Sequence, residues 1–484
     1  MEITDLKPAL VWKFFHEINQ VPRPSKKEGK IIAYLEDFAK KHNVAIKKDH
    51  AGNILMSKPA TKGLENLQTV ILQSHMDMVC EKNNDTVFDF DKDPIQTVVD
   101  GDWLKAKGTT LGADNGIGMA AELALLASDD LEHGPIECLF TVDEETGLTG
   151  AKELKEGFMT GKILLNLDSE DEGELFIGCA GGKDTAATFD YEPIAAPASL
   201  QYFRIGVTGL KGGHSGSEIH VGRGNANKIL VRFLYQLDKS LDYMLCSIDG
   251  GNLRNAIARE ANAVIGLHEE DREKVRVMLN QFTADVEYEL KYTDEGVKLT
   301  MESTDRPEQC LTNELKERLI EAVYACPHGV IAMSPTMKGL VETSTNLASV
   351  KMKSDTIVVG TSQRSSIESS KENIANQVVC SFLLGGAKVA QGDGYPGWAP
   401  NPDSAILKVA HESYTRLFGK EPKIMAIHAG LECGLFLEKY PYLDMISFGP
   451  TLRDVHSPAE RIQISTVELW WKHLTDILKN IPAK

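Results

Sequence analysis

Four stretches decide the fold of this chain: TVILQSHMDMV (69–79), GADNGIGMAAELALLA (112–127), IECLFTVDEETG (136–147) and KILLNLDSE (162–170). The first, third and fourth each open on an apolar run and close on polar, mostly anionic residues. A continuously apolar run suits a strand buried on both faces of a sheet. The second places glycines at a strand-to-helix turn, with an Ala/Leu-rich helix behind it. Strands alternating with helices predict an α/β fold with a mainly parallel sheet. In such sheets ligands gather outside the carboxyl ends of the strands. His75, Asp77, Glu144, Glu145 and Asp168 all fall just past an apolar strand core.

Upstream, PSKKE (24–28) reads as a capping box between Ser25 and Glu28, opening a helix with apolar Ile31, Ile32, Leu35 and Phe38. AGNILM (51–56) ends a further strand. From about Tyr191 the texture changes to strand–loop–helix units, with LQYFRIGVTGL (200–210), the loop GGHSG (212–216) and NANKILVRFLYQL (225–237). DTIVVGTSQRSS (355–366) and ENIANQVVCSFLL (372–384) repeat that order, and the Gly/Pro-rich GDGYPGWAPNPDS (392–404) reads as a return linker. The expected organisation is a catalytic domain in two pieces, residues 1–188 and 399–484, with an α+β domain inserted at 189–398.

The 484 residues exceed what one hydrophobic core usually organises, and the composition is that of a globular protein. An acidic excess of 70 over 52 gives a formal charge of −18, which argues against nucleic-acid or anionic-membrane partners. No stretch approaches the roughly 20 apolar residues of a spanning helix, and Met1 to Leu10 does not read as a signal peptide. The eight cysteines are scattered, with no C-x-x-C pair, so reduced thiols and a cytoplasmic location are expected.

Doubly charged cations need anionic oxygens and neutral imidazoles, and two adjacent cations need a shared carboxylate. The chain offers His75 and Asp77 in HMD, Asp114 in GADNG, Glu144 and Glu145 in DEETG, Asp168 in NLDSE and His456 in VHSPAE. The spacing in HMD puts His75 and Asp77 on one face of an extended segment, where Asp77 can orient the imidazole. Each piece alone has an ordinary reading. An H-x-D triplet arises by chance, a Glu-Glu pair is usually a solvated turn, and Asp114 before a helix is usually an N-cap. His456 before Ser-Pro could be a loop histidine. The order, context and number of the sites together carry the metal reading.

The series HMDMV, GADNGIG, DEETG, NLDSE, GGHSG and VHSPAE resembles that of the co-catalytic zinc peptidases related to aminoacylase, glutamate carboxypeptidase and peptidase V. KNNDTVFDFDKDPI (82–95), KGTTLGADNGIGMA (107–120), GCAGG (178–182) and HAGLECG (428–434) resemble the bacterial aminoacyl-histidine dipeptidase branch of that family. The resemblance implies a catalytic α/β domain with an inserted lid or dimerisation domain, a homodimer, and two divalent cations per chain. Zinc is the expected ion, with cobalt or manganese also admitted by such a donor set. It further implies that Asp114 bridges both cations, that one adds His75 and Asp168, and that the other adds Glu145 and His456. Glu144 would be the general base, Asp77 the partner of His75, and His214 in GGHSG the donor to the tetrahedral oxyanion. The implied reaction is hydrolysis of dipeptides of broad sequence, including those with C-terminal histidine.

Arg364 in SQRSS fits a substrate carboxylate, because a guanidinium binds carboxylates bidentately, but a surface salt bridge would look the same. Asn255 and His428 are further candidates for substrate contact. Glu432 fits a free amino group, although a carboxylate at a helix start is also explained by the helix dipole. N-acyl amino acid deacylation and tripeptide cleavage would use the same metal set. A non-catalytic metal- or peptide-binding relative would have lost the base or the bridge, and a purely structural protein would leave the strand-end carboxylates unexplained.

Overall fold

The computed structural model describes residues 2–484. The chain folds into two units. The first runs to Cys179 and resumes over Trp398–Ala426 and Leu431–Lys484; the second comprises Ala180–Gly397 and Ile427–Gly430. The first division falls at Cys179/Ala180 rather than at 188/189, because the strand Gly181–Asp190 pairs along its whole length with Thr356–Ser365 of the second unit. The return falls at Gly397/Trp398, beside the expected 398/399. The four residues Ile427–Gly430 of the second unit, which include His428, were not anticipated.

The first unit is built on an eight-stranded sheet. Its middle strands, in the order Ile136–Thr141, Val70–His75, Ile163–Asn166 and Asp444–Ser447, are parallel, and antiparallel strands flank them. Val70–His75, Ile136–Thr141 and Ile163–Asn166 are buried at every position. That is why their sequences show no alternation: both faces are covered. The carboxyl ends of the parallel strands deliver His75, the turn before Glu144, and Asp168 side by side. The helix Ala113–Ala127 follows the glycine turn and is buried along nearly all its length.

The expected capping box at residues 24–28 does not form. The helix Gly29–His42 starts after Glu28, which makes no side-chain cap. Ser25 instead donates its hydroxyl to Asp77, and Glu28 accepts from the Lys26 and Asp143 amides. Local spacing was right for a cap, but buried partners more than fifty residues away hold both side chains.

The second unit carries a nine-stranded sheet of antiparallel strand pairs, with a large apolar core beneath it. Here the expectation of uniformly free thiols is corrected: Cys246 and Cys310 form a disulfide. The Leu311 amide donates to the Leu245 carbonyl at 2.8 Å, which sets the two cysteines side by side. The other six cysteines are free. Among the described residues no helix is long and apolar enough to cross a membrane.

Buried His473 lies against Tyr414 and Phe448, with its Nε2 on the Ala410 carbonyl at 2.8 Å. Burial pushes its pKa down to about 4. A base whose folded pKa is depressed stabilises the fold fully above its unfolded pKa of about 6.5 and loses that contribution as pH falls toward 4. For this shift the loss is about 3 kcal/mol. His473→Phe should therefore flatten the fall of Tm between pH 6.5 and 4 in chelated protein. An acid limb as steep as that of the unmodified protein would show that His473 does not drive it.

Candidate metal centre

Two sets of donors meet at the carboxyl ends of the parallel strands. His75 Nε2 lies 3.0 Å from Asp114 Oδ1 and 3.5 Å from Asp168 Oδ1. His456 Nε2 lies 3.1 Å from Asp114 Oδ2 and 3.0 Å from Glu145 Oε2. The two oxygens of one carboxylate thus serve different imidazoles, and each imidazole has a second carboxylate of its own. Ligands about 2.0–2.1 Å from one tetrahedral ion stand about 3.4 Å from one another, so each set is spaced as donors around a common cation.

The residues fit two divalent cations on further grounds. Glu145 Oε1 is buried with no hydrogen-bond partner, an arrangement that is costly unless a positive ion receives it. The anionic groups are too crowded to ionise freely. Burial and the neighbouring Asp114 push Asp168 up to about 6, although His75 opposes the shift. Burial likewise raises Glu144, with Asp168, Glu432 and Glu145 adding to it. Burial, Asp114 and Asp168 lift Glu170 to about 8. Hydrogen bonds to Asp114 and Glu145 push His456 up to about 11. Against its own burial, Asp114 is held far below the usual carboxylate range by the two imidazoles. Such a cluster lacks positive charge that two cations would supply.

The surrounding residues aim these donors. His75 Nδ1 lies 3.2 Å from the Asp77 carbonyl and 3.4 Å from Asp77 Oδ1, which turns Nε2 toward Asp114. Asp77 is wholly buried and also accepts from Ser25 and from the amides of Glu144 and Glu145, so one carboxylate fixes both the imidazole and the DEETG turn. Asp114 is not the N-cap. The Glu460 carboxylate accepts from the amides of Leu111, Gly112, Ala113 and Asp114, at 2.7, 3.0, 2.8 and 3.3 Å, which leaves Asp114 free for the imidazoles. Gly112 has φ +67°, and a Cβ there would stand 2.5 Å from Arg23 Nη2. Arg23 is itself buried and donates to the carbonyls of Asp77 and Gly112. Asn115 donates its amide to Asp168.

Glu432 begins the helix Glu432–Lys439 and is buried in the same unit. Its Oε2 accepts from Gln73 Nε2 at 2.6 Å and from Thr141 Oγ1 at 2.9 Å, while Oε1 has no partner. Burial and Asp168 raise its pKa to about 8, against the pull of His75. The dipole reading is therefore incomplete: the helix start does not account for a carboxylate half-satisfied in the core.

His214, Asn255, Arg364 and His428 belong to the second unit. His214 Nδ1 accepts from the amides of Gly216 and Ser217 at 3.2 and 3.1 Å. An amide only donates, so a neutral His214 carries its proton on Nε2. Burial and Arg364 hold its pKa down. Arg364 is buried, donates to the Tyr395 hydroxyl at 3.0 Å, and has no partner at Nε. His428 lies 2.7 Å from Ser344 Oγ and is driven down to about 3 by burial and Arg364. Asn255 is exposed, and its carbonyl accepts from the Ser215 amide.

Sequence reasoning missed Ser25, Arg23, Asn115, Glu460, Gln73 and Thr141. A polar glutamine inside the apolar run VILQSH was the one available signal.

The profile of peptidase family M20/M25/M40 matches residues 71–480. The chain belongs to that family. It is 44% identical over 483 residues to cytosol non-specific dipeptidase of Escherichia coli (strain K12), covering 100% of both chains. It matches the crystal structure of aminoacylhistidine dipeptidase from Vibrio alginolyticus with a TM-score of 0.95 and 45% identity, over 100% of this chain and 99% of that one. A tripeptidase from Staphylococcus aureus shares the fold, with a TM-score of 0.58 at 17% identity over 98% of this chain and 99% of that one.

Proposed function

We propose that this M20/M25/M40 member is a cytoplasmic, two-metal dipeptidase of broad specificity that accepts Xaa-His substrates. The observation that carries the reading is the division of the Asp114 carboxylate between two imidazole–carboxylate sets, with Glu144 beside them. The Escherichia coli and Vibrio alginolyticus relatives support the choice of dipeptides. His75 and Asp168 would hold one cation, His456 and Glu145 the other, and Asp114 would serve both; zinc is the ion we assign. When bound, the pair supplies Lewis-acid polarisation of the scissile carbonyl and lowers the pKa of water toward neutrality.

This chain's own residues do the rest. Glu144 takes the proton of the attacking water and passes it to the leaving amine. Asp77 keeps His75 oriented and the Glu144 turn in place throughout. His214, with its proton on Nε2, is the donor to the tetrahedral oxyanion. The free oxygen of Glu432 receives the substrate ammonium, and Arg364 the substrate carboxylate, with Asn255 and His428 as further contacts. A homodimer formed through the second unit belongs to the same proposal.

Purified protein should lose activity on chelation and regain it with zinc, cobalt or manganese. Both amino acids should be released from Ala-His and Leu-Gly, with tripeptides and N-acetyl amino acids left intact. Failure to cleave any dipeptide with two metals bound per chain would overturn the reading. Cleavage of N-acetyl amino acids instead would make the protein a deacylase.

A further inference from the structure

Gln73 sits in the middle of a parallel strand with no exposed surface, where an unbonded amide would be expensive. It belongs to a hydrogen-bonded chain that crosses the sheet. Ser169 Oγ lies 2.7 Å from Ser447 Oγ, and Ser447 donates to Asn166 Oδ1. Asn166 Nδ2 donates to Gln73 Oε1 at 2.5 Å. Gln73 Nε2 then donates to Glu432 Oε2 at 2.6 Å and to Thr141 Oγ1 at 3.2 Å, and Thr141 passes its own proton to the same Oε2 at 2.9 Å. The strand register explains the alignment, since Gln73 pairs with Asn166 and Asn166 with Ser447.

The direction of this chain is fixed from one end. The Asp168 amide points at Asn166 Oδ1, at 3.3 Å, and an amide can only donate. Asn166 must therefore present its oxygen to Asp168 and its nitrogen to Gln73. Gln73 must in turn present its oxygen to Asn166 and its nitrogen to Glu432. Both N–H groups of Gln73 thus serve Glu432, one directly and one through Thr141. They secure Oε2 and leave the buried Oε1 with no partner.

We infer that Gln73 is a positioning residue for recognition of the substrate's free amino group: it holds Glu432 by one oxygen and turns the other toward the ammonium. The inference rests on the reading of Glu432 as the ammonium acceptor. A carboxylate free to rotate could satisfy either oxygen internally, and its partnerless oxygen would no longer be presented. The same chain ties Glu432 to the backbone of Asp168, so the place of the amino group is referred to a metal ligand.

The test compares Gln73→Met, Glu432→Gln and the double variant, with Leu-Gly kinetics, bound metal and Tm measured for each. Gln73→Met should raise KM about tenfold, leave kcat within about threefold and keep the bound metal unchanged. Its effect should vanish in the Glu432→Gln background. An equal rise of KM in both backgrounds, or loss of kcat and metal at constant KM, would overturn the positioning role. If Glu432→Gln leaves KM unchanged, it is the ammonium reading of Glu432 that fails. Should Gln73→Met not fold, Thr141→Val removes one of the two donors to Oε2 and should raise KM; an unaltered KM there counts against the inference.

Discussion

Glu144→Ala is expected to keep two metals per chain and to lower kcat by about 100- to 10,000-fold, the usual worth of a general acid–base. The two halves of this expectation come from different parts of the site. Metal retention follows because neither donor set includes Glu144, and because Asp77 holds the turn through the amides of Glu144 and Glu145, not through the Glu144 side chain. Loss of turnover follows from the role we propose for Glu144, which would move a proton twice in each cycle, from water and then to the leaving amine. Elemental analysis and steady-state kinetics on one preparation separate the two effects. An active variant would remove Glu144 from its role, and a metal-free one would make it a ligand.

What the sequence shows of this site depends on how far apart its partners lie. VILQSH, IECLFT and ILLN announce buried parallel strands because they are mainly apolar without a period-two alternation, and the carboxylates that follow announce the strand ends. His75, Glu145 and Asp168 can be proposed as donors for that reason, whereas Asp114 and His456 are proposed from the series of motifs as a whole. The residues that aim them cannot be proposed in either way, since their meaning lies in partners from about fifty to several hundred positions away. Glu460 caps a turn 346–349 residues earlier in the chain. Arg23 serves the carbonyls of Asp77 and Gly112, and Glu432 is held by Gln73 and Thr141. Ser25 and Glu28 show the converse, where a sound local signal is overridden by burial beside Asp77 and Asp143. Local pattern therefore identifies donors, whereas their orientation is a property of the folded sheet.

Asp114→Ala should have a different signature from Glu144→Ala, losing metal as well as rate. Each Asp114 oxygen stands beside a different imidazole, so truncation opens both donor sets at once. Loss of a residue that merely orients a ligand costs about 10- to 100-fold in metal affinity or activity, so loss of the shared ligand should exceed about a hundredfold in activity. His75 would keep Asp168, and His456 would keep Glu145, leaving each set with one carboxylate and one imidazole. Two donors hold a divalent cation poorly, and at least one metal per chain should be lost on gel filtration. Because a cation that binds only the folded state raises Tm, added zinc should stabilise the variant less than the unmodified protein. Glu460 still caps the 111–114 turn through backbone amides, so the variant should fold. Two tightly held metals per Asp114→Ala chain, with an undiminished zinc shift in Tm, would show that the centre is not built around a bridging carboxylate.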